Sequence, residues 1–365
     1  MKQNAKEKLP SFKEAIHFLR NAPSFTAAVV FFLLFELVLG LTNDLYYLDG
    51  RGTFLTIFKK KIAEDSTRNY NVLLYGDSRS LALNGKKDTD YTMYNFSLPA
   101  AGPAYIQYFL KKYIVNHEKK PDVVVWAVDS TQLANDQGGL ENINPEIWKN
   151  FRHRLLNLFS IKENLEQYEG KDKFFILKES LPGLLPSIEH REGLEKILTG
   201  IKAADIVTMD VGNLQENKRI AASVESSFGK INVGTYFTIP ANVSADINIK
   251  SLQTQQKTRE NTNYNLSPLL NFIEYAGKSG IKVVILEIPS ADNLHQSRLN
   301  QTLQKEYELL AQKKDVYYIK YPEMGYDLQH FAEGIHYNLK GEIRLNREFD
   351  LFIWPEIKKI IKNER

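Results

Sequence analysis

Apolar residues along this chain fall in two kinds of run. The first is long and unbroken. SFTAAVVFFLLFELVLGL, from Ser24 to Leu41, is almost wholly apolar, at the short end of what crosses a bilayer. The later runs are short and rich in β-branched residues: YNVLLYG (70–76), YTMYNFSL (91–98), DVVVWAV (122–128), IKVVILEIP (281–289) and DVYYIKYP (315–322). Continuous runs of this kind suit strands buried on both faces of a parallel sheet.

Amphipathic stretches separate the runs and predict helices over 101–120, 266–280, 295–314 and 338–364. Gly280 stops the second, and Pro355 bends or breaks the last. Strand and helix in alternation mean a doubly wound α/β sheet. Residues 131–265 break the alternation. There PEIWKNFRHRLLNLFSIKENLEQ (145–167) is helical, two further helical patterns surround His190 and Arg219, and 234–250 is irregular or a hairpin. The organisation that follows is a leader over 1–23, an apolar helix over 24–42 and a connector over 43–69. An α/β domain is then built from 70–130 and 266–365, with 131–265 inserted to cover the carboxyl edge of its sheet, where open α/β sheets place their sites.

Charge orients the apolar helix. Lys2, Lys6, Lys8, Lys13 and Arg20 precede it, so the N-terminus is expected in the cytoplasm and the main domain outside the cytoplasmic membrane. Arg51 and Lys59 to Lys61 on the far side weaken that bias. Glu36 lies near the end of the helix, from where it could snorkel to the interface. A cleaved signal peptide is the rival reading; its leader is overlong and Val38-Leu39-Gly40 is a poor cleavage site. A buried core helix is the third. The connector ends in a basic helix expected to lie along the membrane surface.

The whole chain of 365 residues carries a net charge of +3, without the basic, aromatic-laced tracts that would imply a nucleic-acid partner. It has no cysteine, which removes disulfides, thiolate nucleophiles and Cys-ligated metals.

Chemistry concentrates in two places. Gly76-Asp77-Ser78 follows the first short run directly, so Ser78 stands at the carboxyl end of a strand. If a helix follows, its N–H groups would surround the serine as in a nucleophile elbow. The competing reading is a helix N-cap, a common use of Ser and Asp after a strand. A serine nucleophile needs a base, and the base needs an orienter. Of seven histidines, His336 sits in FAEGIHYNLKG (331–341), just before the last helix and three residues after Glu333. On a tight loop that spacing lets a carboxylate fix the imidazole tautomer. His330 is the fallback base. The competing reading of His336 is a surface loop histidine beside a helix capped by Asn338.

The two motifs, YGDSRS and EGIHYNLKG, together resemble the SGNH (GDSL) hydrolase family. The His-Tyr-Asn-x-x-Gly tail is similar to its membrane-anchored branch. That branch includes the alginate O-acetylation proteins, the D-alanyl transfer protein of teichoic acids and uncharacterised spirochaete proteins. The resemblance covers roughly 70–130 and 280–350 and implies a flavodoxin-like three-layer α/β sandwich with a parallel sheet. It further implies Ser78 as nucleophile, His336 as general base and Glu333 as orienter, where the family usually has Asp. NFSLPAAG places Asn95, Ser97 and Gly102 at the second family block, whose backbone N–H groups hold the oxyanion. Asp77 and Arg79 flank the nucleophile, and Arg79 would meet an anionic group of the substrate or pair with a neighbouring acid. Asn338 belongs to the His motif. The family's Gly-x-Asn-Asp block is absent; AVDSTQLAND stands there, with Asp129 and Ser130 nearest.

The implied activity is a serine acyl-ester hydrolase or O-acyltransferase on cell-envelope glycan or lipid esters, with no metal or organic cofactor and with partners in an envelope complex. A catalytically inactive SGNH-like binding or scaffold protein is the alternative, motivated by the missing block and the Asp-to-Glu change. A metal-dependent phosphoester enzyme is disfavoured, because Asp88, Asp90, Asp129 and Asp136 make no ligand set with a pair of histidines.

Overall fold

The computed structural model describes residues 21–41, 45–48, 51–99, 101–128, 130–133, 214–231, 263–333 and 336–363, with isolated positions in 185–195 and 252–261. Helix α1 (Pro23–Leu41) is the apolar run. Only Glu36 and Leu39 in it are buried, while Phe31, Leu33, Val38 and others stand exposed. A helix this apolar is long enough to cross a membrane. Glu36 does not point free toward the interface as expected. It accepts from the Ser187 N–H at 3.0 Å and from the Ser187 hydroxyl. A polar group in an apolar helix requires such partners.

Helix α2 (Arg51–Glu64) corrects the expectation of a basic helix on the membrane surface. Phe54, Leu55, Phe58, Ile62 and Ala63 are buried in the main core. Their spacing makes one apolar stripe, which packs on α3 (Pro103–Asn116). Burial of that stripe outweighs the attraction of its lysines to a surface.

The sheet holds β1 (Val72–Gly76), the two-residue β2 (Lys86–Lys87), β3 (Thr92–Asn95), β4 (Val123–Val128), β5 (Lys282–Glu287) and, after the two-residue β6 (Ser290–Ala291), β7 (Val316–Lys320). Its order is β2-β3-β1-β4-β5-β7, parallel throughout except for the antiparallel edge strand β2. Alternate strand residues serve two cores. Leu73, Tyr75, Val124, Trp126 and Ile285 pack with α2, α3, α4 (Leu214–Ser226), α5 (Ser267–Lys278) and α6 (Arg298–Leu310). Val72, Leu74, Val125, Ala127 and Leu286 pack on the other side with α7 (Leu339–Glu348) and α8 (Trp354–Lys362). Helices therefore cover both faces, which is why the strands read as unbroken apolar runs.

Pro355 neither ends nor bends the last helix into a loop. It sits in the first turn of α8, preceded by a π-helical turn, Phe349–Ile353. A proline inside a continuous helix would lose a hydrogen bond and clash with the carbonyl four residues back; the wider turn accommodates both. Two small pairings complete the carboxyl edge. β6 runs parallel to β8 (Gly325–Tyr326), and β9 (Phe331–Glu333) forms a hairpin with β10 (His336–Tyr337). Of the expected 131–265 elements, the pattern around Arg219 is α4. The 145–167 helix, the pattern at His190 and the 234–250 segment lie outside the described residues.

Candidate functional site

β1 ends at Gly76, and no larger residue fits there. A Cβ would stand 2.2 Å from Ser80 Oγ and 2.8 Å from the Ala127 carbonyl. The chain therefore turns tightly as it leaves the sheet. Asp77 shapes the turn, with Oδ1 accepting from the Arg79 N–H at 2.9 Å and Oδ2 pairing with Arg79 Nη2 at 2.8 Å. Arg79 thus takes its neighbouring acid, the second of the two roles open to it. No α-helix follows, only one 3-10 turn, Ser80–Ala82, with no side-chain cap.

Ser78 is half-buried at the top of this turn. Its hydroxyl lies 2.8 Å from His336 Nε2, across 258 residues of chain. His336 is itself only 8% exposed. The β9–β10 hairpin holds it, with Glu333 directly opposite in the register. The Glu333 side chain, expected to orient the ring, lies outside the described residues.

The neighbouring histidine motif residues are braces. Asn338 Oδ1 accepts from the Gly341 N–H at 3.0 Å and so caps α7. Its Nδ2 donates to the Gln329 and Phe331 carbonyls at 2.8 and 3.2 Å. The Tyr337 hydroxyl donates to the Pro289 carbonyl. His330 is buried, with Nδ1 3.2 Å from the Asp327 carbonyl and its ring beside Tyr326. Asn346 on α7 then grips the serine loop: Oδ1 accepts from the Asn84 N–H at 2.7 Å, and Nδ2 donates to the Ala82 carbonyl at 2.8 Å. One helix thereby fixes both ends of the Ser78–His336 pair.

The second motif block is also a brace. Asn95 is fully buried, and its Nδ2 donates to the carbonyls of Ser80 and Leu83 at 2.7 and 2.8 Å. Its Oδ1 accepts the Ser97 N–H at 2.8 Å. The expected oxyanion donor Ser97 therefore has its N–H committed to a side chain, and its hydroxyl lies 2.8 Å from Ser80 Oγ. The reason is local: the chain runs on beside β1 after β3, and the Asn95 amide takes the N–H two residues on. The N–H groups of Ser78 and Gly102, the latter at the N-terminus of α3, have no partner among the described residues.

Sequence reasoning missed Lys59. It is 0% exposed, and its ammonium donates to the carbonyls of Asn95, Ser97 and Gly229 at 2.7, 2.7 and 2.9 Å. Burial pushes its pKa well below that of an ordinary lysine. Three acceptors call for all three ammonium protons, which is how a buried charge is tolerated. Lys59 shares the α2 stripe with Leu55 and Ile62, four before and three after it. That position on an apolar face was the available signal. Residues 227–231 complete the cradle. Gly85 N–H donates to the Ser227 carbonyl at 3.2 Å, Asn95 N–H to Phe228 at 2.9 Å and Ile231 N–H to Leu81 at 3.0 Å. Lys230 Nζ pairs with Glu342 of α7 at 2.5 Å.

Among the described residues no group of three or more His, Cys, Asp or Glu side chains could hold a metal ion. The arrangement offers a hydroxyl in contact with an imidazole, at the carboxyl edge of a parallel sheet. Such a pair can move a proton from oxygen to nitrogen.

No curated protein matches the chain. A family model, described as protein of unknown function (DUF1574), matches residues 42–340. That match takes in the sheet, the serine turn and His336, and the chain belongs to the DUF1574 family.

Proposed function

We propose that this protein is a membrane-anchored serine acyl-ester hydrolase or O-acyltransferase of the SGNH type. The observation that carries the reading is the 2.8 Å approach of Ser78 Oγ to His336 Nε2. Strand order supports it too: the five parallel strands, numbered among themselves, run 2-1-3-4-5, the flavodoxin-like order. Ser78 leaves the first of them, beside the switch point where such folds bind ligands.

In the proposed reaction His336 takes the Ser78 proton as Oγ attacks an ester carbonyl. The alcohol leaves with that proton, and the acyl group remains on Ser78. Water or a second alcohol then gives its proton to His336 and takes the acyl group, and His336 returns the proton to the leaving Ser78 Oγ. The hairpin register that sets Glu333 opposite His336 supports Glu333 as the orienting acid. With the Ser97 N–H committed to Asn95, the oxyanion falls to the N–H groups of Ser78 and Gly102. Helix α1 anchors the site to the membrane, and esters of envelope glycans or lipids are the substrates within reach.

A catalytically inactive, ligand-binding SGNH-like protein is the second reading, favoured by that loss of the Ser97 donor. A fluorophosphonate probe separates the two. The acyl-transfer reading expects covalent labelling of wild type and none of Ser78→Ala or His336→Ala. Full labelling of either variant would refute the assigned roles.

A further inference from the structure

A second polar recess lies along the same carboxyl edge, beyond the strand next to Ser78. It is lined by Ser130, just after β4, by Glu287 and Ser290 at and just after the end of β5, and by Asn300, Leu303 and Tyr307 of α6. Its enclosed end has room for one water-sized group, and the rest opens outward. Ser130 and Ser290 are 7% and 5% exposed. Neither hydroxyl has a hydrogen-bond partner among the described residues. An orphaned buried hydroxyl is destabilising, and a native recess holding two of them calls for a polar occupant.

The surrounding groups define that occupant. Glu287 is held by Gln304 Nε2 at 2.8 Å and by the Tyr318 hydroxyl. Burial raises its pKa, and those two bonds and the nearby His295 oppose the rise. No lysine or arginine is among the described residues lining the recess to pair with an anionic ligand. No metal-ligand cluster exists among the described residues. Each orphan hydroxyl presents a proton as well as lone pairs, so a neutral group that both donates and accepts suits the pair. An alcohol hydroxyl has that chemistry and that size.

We infer that the Ser130–Ser290 recess is a binding site for one hydroxyl group of a neutral alcohol or polyol. Its role as the seat of a non-reacting hydroxyl of the acyl acceptor rests on the acyl-transfer reading above; the binding itself does not. Ser290 is fixed for the task, its N–H bonded to the Met324 carbonyl at 3.0 Å.

The test is ligand-observed saturation-transfer NMR on the full chain in detergent, with glycerol, inositol and methyl glucoside as probes. At least one probe is expected to bind wild type and Ser78→Ala alike. Ser130→Ala and Ser290→Ala are each expected to weaken binding about tenfold, the loss of one good hydrogen bond. Should one variant fail to melt cooperatively, the other decides. No binding by any probe, or binding indifferent to both substitutions, overturns the inference. Binding that persists while Ser78 refuses the fluorophosphonate probe overturns the acyl-transfer reading and the acceptor role, and leaves the hydroxyl site standing.

Discussion

Single residues decide whether the serine turn exists. Gly76 is the clearest, because a methyl group there would meet Ser80 Oγ and the Ala127 carbonyl well inside contact distance. Gly76→Ala is expected to destabilise the fold by about 1–3 kcal/mol, measured by denaturant titration, and to slow probe labelling of Ser78. Unchanged stability and labelling would show that the turn has slack. Glu287 makes a prediction of its own. Burial holds its folded pKa above the ordinary carboxylate value. The folded state then binds more protons than the unfolded state between those two values, so stability falls as pH rises through that window. Melting temperatures across it should fall in wild type and stay level in Glu287→Gln; parallel curves would contradict the direction. At this scale the sequence was partly legible. Position and spacing singled out Ser78, His336 and the cap at Asn338, and only the resemblance paired the first two. The committed N–H of Ser97 could not be read, because whether an asparagine side chain takes the N–H two residues on depends on a local backbone that the sequence does not fix. Nor could the pairing of Arg79 with Asp77 be chosen over a substrate role before the turn was known.

Elements hold the pair in place from three sides. α7 carries the Asn338 cap at one end and the Asn346 grip at the other. The turn after α4 supplies the Gly229 carbonyl and the Phe228 contact. α2 brings Lys59, which ties that turn to the end of β3 and to Ser97. Lys59→Met keeps the length of the side chain and removes its donors, leaving three buried carbonyls unmet. A loss on the order of 3 kcal/mol is expected, together with weaker labelling of Ser78; a variant as stable as wild type would show that the clamp is dispensable. The parallel strands were legible as apolar runs because helices bury both faces. The edge strand β2 was not, being two lysines long. The helix α2 was misplaced on the membrane surface because its lysines drew attention from the Phe54–Leu55–Phe58–Ile62 stripe, which fixes its place in the core.

The whole molecule joins an apolar helix to an α/β domain of the DUF1574 family. Most of α1 is exposed, and large apolar side chains cover it. Its few buried positions include Glu36, which meets Ser187. A surface of that kind supports the proposed anchor, which expects the full chain to stay with membranes through an alkaline carbonate wash; release into the supernatant would contradict an anchoring helix. The run from Ser24 to Leu41 was legible from composition alone, whereas the Ser187 contact depends on chain folded back from the middle of the sequence. If Ser78 is an activated nucleophile, fluorophosphonate labelling of the full chain in detergent, beside Ser78→Ala, reveals it. Covalent labelling of wild type that disappears in Ser78→Ala is the predicted result. A folded wild type that takes no label, or a Ser78→Ala variant that labels as well as wild type, would contradict it.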